Sequence, residues 1–127
     1  MDVWEVEVTD EFKAWWAELT EDQQESLVDR VDLLAERGHD LGRPVVDLIK
    51  SSRHHHMKEL RASKGGVLRV LFMFDPRRQV ILLLGGDKTG NWTGWYEWAV
   101  PKADELYDTY LNELREEGLI DGENEIF

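Results

Sequence analysis

His54, His55 and His56 stand side by side in the chain. An imidazole with an ordinary pKa of about 6.5 can take up or release a proton at neutral pH. Three adjacent histidines cannot all point one way, so one or two of them, His54 and His56 first, can serve a single site. The alternative is a solvated tract with incidental metal affinity. A catalytic zinc centre is not indicated, because ligands spaced as His-Glu-x-x-His are missing and the chain has no cysteine. The run Gly85-Gly86-Asp87-Lys88-Thr89-Gly90-Asn91 lacks the Gly-x4-Gly-Lys-Ser/Thr spacing of a phosphate-binding loop.

The histidines lie in a basic middle. Residues 37–78 carry ten Lys or Arg against four Asp or Glu, whereas residues 1–36 carry two against twelve and residues 79–127 three against eleven. The whole chain sits at −12, but phosphate binding depends on the local field rather than the total. The middle can therefore form a positive patch on an acidic body; the other reading is solvated surface, or pairing with the acidic helices. Arg69 narrows the choice. It interrupts the apolar run Val67 to Phe74, and a buried unpaired charge is too costly to keep. Arg61 and Arg69 then either clamp a phosphate or pair with a helix carboxylate.

The elements that must carry these groups are legible in outline. At 127 residues, with 42% hydrophobic composition, the chain fits one domain with one core. No apolar run is long enough for a membrane span, the first residues do not read as a targeting peptide, and cysteine is missing, so a cytoplasmic location is expected. Trp4 to Val8 alternates with period two and predicts a strand. A short helix near Asp10 follows, then a second opened by the capping pair Thr20 and Gln23 and ended at Gly38. Gly38 to Met57 is irregular, with one ordered piece at Val45 to Ile49; a stretch of that length is often functional. Met57 to Ala62, Val67 to Phe74 and Gln79 to Leu84 predict three antiparallel strands, the last two joined by a turn at Asp75-Pro76-Arg77-Arg78. After the glycine-rich loop, Ala99, Ala103, Leu106, Tyr107, Tyr110 and Leu114 mark a final helix, with Pro101 in its first turn and Gly118 at its end. The class is α+β.

Lys58-Glu59-Leu60-Arg61, then Gly66-Val67-Leu68-Arg69-Val70-Leu71-Phe72, then a strand ending in Gly86-Asp87-Lys88, resembles in order and separation the HigB-like branch of the RelE/ParE toxin superfamily. The resemblance covers about residues 1–117. It implies a RelE-like domain over residues 1–120, with an N-terminal strand and two helices packed on a curved, mainly antiparallel sheet and a C-terminal helix; residues 121–127 form an acidic tail. It further implies a ribosome-dependent endoribonuclease that cuts mRNA. Its partners would be a cognate helix-turn-helix antitoxin, the ribosome with its message, and operator DNA only through the antitoxin. No membrane partner and no cofactor are implied.

Attack of a ribose 2′-hydroxyl on the adjacent phosphate needs a base, an acid for the leaving 5′-oxygen, and cations for the charge on phosphorus. It requires no metal. Carried over on this pattern, the catalytic candidates are His54, His56, Lys58, Arg61, Arg69 and Lys88, and the RNA-binding candidates are Arg53, Lys64, Arg77 and Trp92. Two departures from the pattern stand out. One cation is missing where Gly85-Gly86-Asp87-Lys88 replaces the usual aromatic-Lys-Lys, and Trp92, Trp95, Tyr96 and Trp98 make the following segment dense in aromatics. Trp92 can stack a base or anchor the helix; Trp95 and Trp98 read as core. A gyrase-binding ParE-like toxin and a non-toxic regulatory binding module are the competing functions, since one fold serves all three.

Overall fold

A computed structural model describes residues 3–64, 66–89 and 94–120. Alternating glutamate and valine form strand β1 (Glu5–Val8), with Val6 and Val8 packed inward. Thr9 then caps helix α1 (Asp10–Ala17): its hydroxyl accepts from the Phe12 N–H at 3.0 Å and donates to the Leu83 carbonyl at 2.6 Å. A single residue thus starts the helix and ties it to the sheet. Helix α2 (Glu21–Arg37) opens on the predicted capping box, with Thr20 and Gln23 exchanging hydrogen bonds of 3.0 and 3.2 Å, and ends at Gly38 with φ of +56°.

The predicted irregular stretch holds one 3-10 turn (Gly38–Asp40) and strand β2 (Val46–Leu48). Strands β3 (Lys58–Ala62), β4 (Leu68–Phe74) and β5 (Gln79–Asp87) follow. The sheet order is β1-β5-β4-β3-β2, with β1 parallel to β5 and the other pairs antiparallel. At the β4–β5 turn the Asp75 carboxylate accepts from the N–H groups of Arg77 and Gln79, and Arg78 takes φ of +63°.

Each face of the sheet has its own core. Leu60, Ala62, Leu68, Val70, Phe72 and Leu82 pack against α1 and α2. Leu71, Met73, Ile81 and Leu83 pack against helix α3 (Gly94–Glu116) through Ala99, Ala103, Tyr107 and Leu111. The class is the expected α+β arrangement, and the ordered piece expected at Val45 to Ile49 is strand β2, a further member of the sheet. The chain ends α3 at Gly118 (φ +72°), where the N–H groups of Gly118 and Leu119 return to the carbonyls of Arg115 and Leu114.

Three expectations are corrected. Trp98, read as core, is 53% exposed, while Trp95 is buried. Pro101 lies two turns inside α3 rather than in its first turn. Its missing N–H leaves the Glu97 carbonyl without a helical donor, and because both residues are exposed, water can fill that place. Gly85 and Gly86 belong to β5, not to a loop. They are glycines because indoles lie on them: a Cβ would meet the Trp15 ring at 2.2 Å on Gly85 and Trp95 Nε1 at 2.1 Å on Gly86. These two tryptophans come from opposite sides of the sheet, α1 and α3.

Strand β5 also carries an extra residue. Leu71 pairs with Leu84 but Phe72 with Leu82, so Leu83 is a bulge. Leu83 and Leu84 both join the core under α3, and alternation beyond them is inverted. Gly85 consequently faces α1, while Gly86 and Lys88 face α3.

Gly85→Ala and Gly86→Ala are each expected to destabilise the fold by about 1–3 kcal/mol through forced displacement of an indole. Gly42→Ala, with open space around it, should stay within about 0.5 kcal/mol of wild type. Urea unfolding of the three variants checks this; equal midpoints would disprove the close helix–strand approach.

Candidate functional site

Arg61 on β3 and Arg69 on β4 are directly paired across the sheet, on the face covered by α3. Like charges so placed repel, and Glu59 offsets the repulsion from the same face. Its carboxylate is 4% exposed. Oε2 accepts from Arg61 Nη2 at 2.9 Å, and Oε1 lies 3.4 Å from Arg69 Nε. Oε1 also accepts from the Tyr96 hydroxyl at 2.5 Å, which fastens the start of α3 to the sheet. Asp47 on β2 adds a second carboxylate, 3.1 Å from Arg61. The salt-bridge reading of Arg61 and Arg69 therefore holds, with partners on the sheet rather than on a helix.

Lys88 completes the cluster. It is 6% exposed, donates to the Tyr96 hydroxyl at 3.0 Å and lies 4.7 Å from the centre of that ring. Burial, then repulsion from Arg69 and Arg61, lowers its pKa against the pull of Glu59. Burial and the Glu59 hydrogen bond push the Tyr96 phenol up to about 12. Arg61 and Arg69 also line an open cleft of about 330 Å³ together with Arg30 of α2, Pro44, Val45 and Ser63. Three arginine residues thus line one open cleft, and guanidinium forks bind phosphate oxygens well.

The histidines lie elsewhere. His54 Nε2 is 2.9 Å from Asp108 of α3, and its ring meets Tyr107 edge-on at 4.9 Å. Arg53 also pairs with Asp108, its backbone N–H reaches Asp104 at 3.1 Å, and Ser52 donates to Asp104 at 2.5 Å. Burial raises the Asp108 pKa, but the Arg53 and His54 contacts outweigh it and hold the group below the usual carboxylate range. Asp108 lies twelve residues beyond Tyr96, about 18 Å along the helix. The His54 cluster and the arginine cleft are therefore at different ends of α3. His55 and His56 are exposed.

Alternation puts Lys58 on the opposite face from Arg61. Its ammonium lies 5.4 Å from the Phe74 ring, beside His39, whose pKa is lowered by burial and then by Lys58. Lys64 is exposed and pairs with Glu25 at 3.2 Å. Arg77 is enclosed by Tyr110, Gln79 and Glu7 at 3.0 to 3.4 Å. Trp92 lies outside the described residues. Among the described residues no three His, Asp or Glu side chains gather as metal ligands, and no helix is long and apolar enough to cross a membrane.

Sequence reasoning missed Glu59, Tyr96, Arg30, Asp104 and Asp108. The first was accessible, since period two in Lys58-Glu59-Leu60-Arg61 sets Glu59 beside Arg61. The others depend on long-range contacts.

The remaining tyrosines behave like Tyr96. Burial, followed by the nearby Asp75 carboxylate, drives Tyr107 and Tyr110 upward. A phenol with a raised folded-state pKa keeps its proton longer in the native state. The stability so gained is fully present below the unfolded value of about 10 and is lost as pH rises through the folded value. Ultraviolet titration of the native protein should show no phenolate near pH 10, and Tyr96→Phe should flatten the loss of stability between pH 10 and about 12. A phenol titrating at its ordinary value would contradict the buried placement.

Residues 14–108 match the family described as phage-derived protein Gp49-like. The chain is 50% identical over 97 residues to HigB3 of Mycobacterium tuberculosis (strain ATCC 25618 / H37Rv), covering 76% of this chain and 84% of that protein. To HigB2 of the same strain it is 38% identical over 115 residues, covering 89% of this chain and 57% of that protein. Both relatives are provisionally named as toxins. A doubly substituted Escherichia coli toxin RelE in the free state has the same fold, with a TM-score of 0.57, 11% identity, and coverage of 80% of this chain and 98% of that one. The chain belongs to the Gp49-like family of phage-derived proteins and, with HigB3, to its HigB-type members, and it shares its fold with RelE.

Proposed function

We propose that this toxin of a toxin–antitoxin system is an endoribonuclease that cuts messenger RNA on the ribosome. The observation that carries the reading is the meeting of Arg30, Arg61 and Arg69 at one cleft, with the Lys88–Tyr96 pair beside Glu59. In this reading the arginines hold the scissile phosphate and offset the charge that builds on its oxygens. Glu59 is a positioning residue that keeps the two cross-strand guanidiniums side by side. Lys88, whose pKa is lowered by burial and by its cationic neighbours, is the group suited to pass a proton to the leaving 5′-oxygen. Selection of RNA follows from the 2′-hydroxyl, which is the nucleophile. His54 is engaged with Asp108 in the second half of α3, so the 2′-hydroxyl proton is assigned to Tyr96, which passes its own proton to Glu59 along their hydrogen bond, and the proton for the leaving 5′-oxygen is assigned to Lys88. The partners are a cognate helix-turn-helix antitoxin, the ribosome and its message, and operator DNA through the antitoxin, in the cytoplasm.

The test is an in vitro translation reaction with mapping of message ends. Arg61→Gln and Arg69→Gln are each expected to lower cleavage by about a hundredfold, and Lys88→Met by at least about tenfold. Melting curves identify any variant that fails to fold, and Arg37→Gln, remote at the end of α2, should cut as wild type does. An intact message together with blocked DNA supercoiling would replace this reading with the gyrase-directed one. An intact message with supercoiling unaffected would leave a regulatory binding module.

A further inference from the structure

The other face of the molecule carries a trough that the proposed chemistry does not use. It is about 320 Å³ and is lined mainly by Val6 and Val8 on β1, Phe12 and Trp16 on α1, and Val28 and Val31 on α2, with one charge of each sign, Lys13 and Asp32. Val28 is 44% exposed, an uncovered valine in the middle of a helix. Phe12 and Trp16 are four residues apart and Val28 and Val31 three apart, so two helical stripes face each other over a strand. Trp16 and Val28 also border an adjoining hollow whose other walls are Glu21, Gln24, Glu25 and Asp29. An apolar bed therefore runs into an acidic rim, and residues 10–37 as a whole hold nine acidic and three basic side chains.

We infer that this trough is the seat of a partner's amphipathic helix, one with an apolar stripe for Val6, Trp16, Val28 and Val31 and with lysine or arginine along the flank that meets Glu21 and Asp29. The charge argument selects the occupant. A second copy of this chain would bring the same acidic rim and a net charge of −12. The chain's own residues 121–127 contain Asp121, Glu123 and Glu125 and no cation. Both are repelled. An extended segment would leave its own backbone groups unpaired against walls of carbon, whereas a helix arrives with those groups already bonded. The trough lies across the sheet from the side chains of Arg61 and Arg69, so the inference stands apart from the nuclease reading.

The probe is a displayed library of helix-forming 20-residue peptides with apolar residues at i, i+3, i+4 and i+7, and flanks varied among basic, acidic and neutral residues. The full chain is the target. Basic flanks are expected to dominate the selected binders, and amide shifts in the NMR spectrum of the complex should fall on Val6, Trp16, Val28 and Val31. Val28→Asp should weaken the best binder by about tenfold or more, since a carboxylate would be buried without a partner. Asp29→Lys should weaken it by about threefold and remove much of its salt sensitivity. Both substitutions are at the surface of α2, and melting curves confirm that they fold. Selection without a charge preference, binders indifferent to Val28→Asp, shifts confined to another surface, or no binders at all would each overturn the inference. Message cleavage measured on the same variants reports on the nuclease reading independently.

Discussion

The carboxylate of Glu59 is the charge on which the arrangement of this protein depends. Arg61 and Arg69 occupy paired positions on neighbouring strands, and without an anion between them the sheet would place two guanidiniums face to face. Glu59 sits two residues from Arg61 on the same face, almost out of contact with water, and touches both. Loss of that carboxylate would leave the two guanidiniums side by side with no shared counter-charge, Arg69 with little access to water. The same carboxylate accepts the Tyr96 hydroxyl and so fixes where α3 begins to cover the sheet. One side chain thus sets both the spacing of the cations and the position of the helix beside them.

The rest of α3 works as a strap over the same face. Asp104 and Asp108 hold the segment Ser52 to His54, and Tyr110 reaches the β4–β5 turn at Asp75 and the first strand at Glu7. Much of the contrast between a basic middle and acidic ends is used up in these contacts. Arg53 meets Asp108, Lys64 meets Glu25, and Arg77 meets Glu7. Charge asymmetry along the chain thus became neutralisation within the fold at those places. It leaves a concentration of cations at the cleft where Arg30 joins Arg61 and Arg69.

Local signals in the sequence gave a reliable outline of the fold, because they are local in physics. The Thr20–Gln23 box, the Asp75 turn, the alternation in β1 and the glycine stops at Gly38 and Gly118 each need only near neighbours, and each lies where it was expected. What failed needed distant partners. Gly85 and Gly86 looked like loop residues until Trp15 and Trp95 were seen resting on them. The start of α3 ahead of Pro101 depends on Trp95 and Tyr96 docking on the sheet. At the site, the company of Arg61 and Arg69 was legible from the strand pattern. The separation of Lys58 onto the other face follows from that same alternation once the strand is drawn. His54 was placed by Asp108, fifty-four positions away, a contact for which the tract itself gives no cue.

The bulge at Leu83 has a consequence for how this protein tolerates change. Side-chain direction in a strand is a matter of odd and even, and the extra residue switches the parity between the hydrophobic half of β5 and its end. Removing one residue there would restore regular pairing and give a tidier sheet. It would also swing the ammonium of Lys88 through to the side of α1 and α2, and set Gly85 and Gly86 beneath the wrong indoles. A relative that lost this irregularity could therefore keep every residue type and still part with the cluster, so alignments across this strand should be judged by parity before identity.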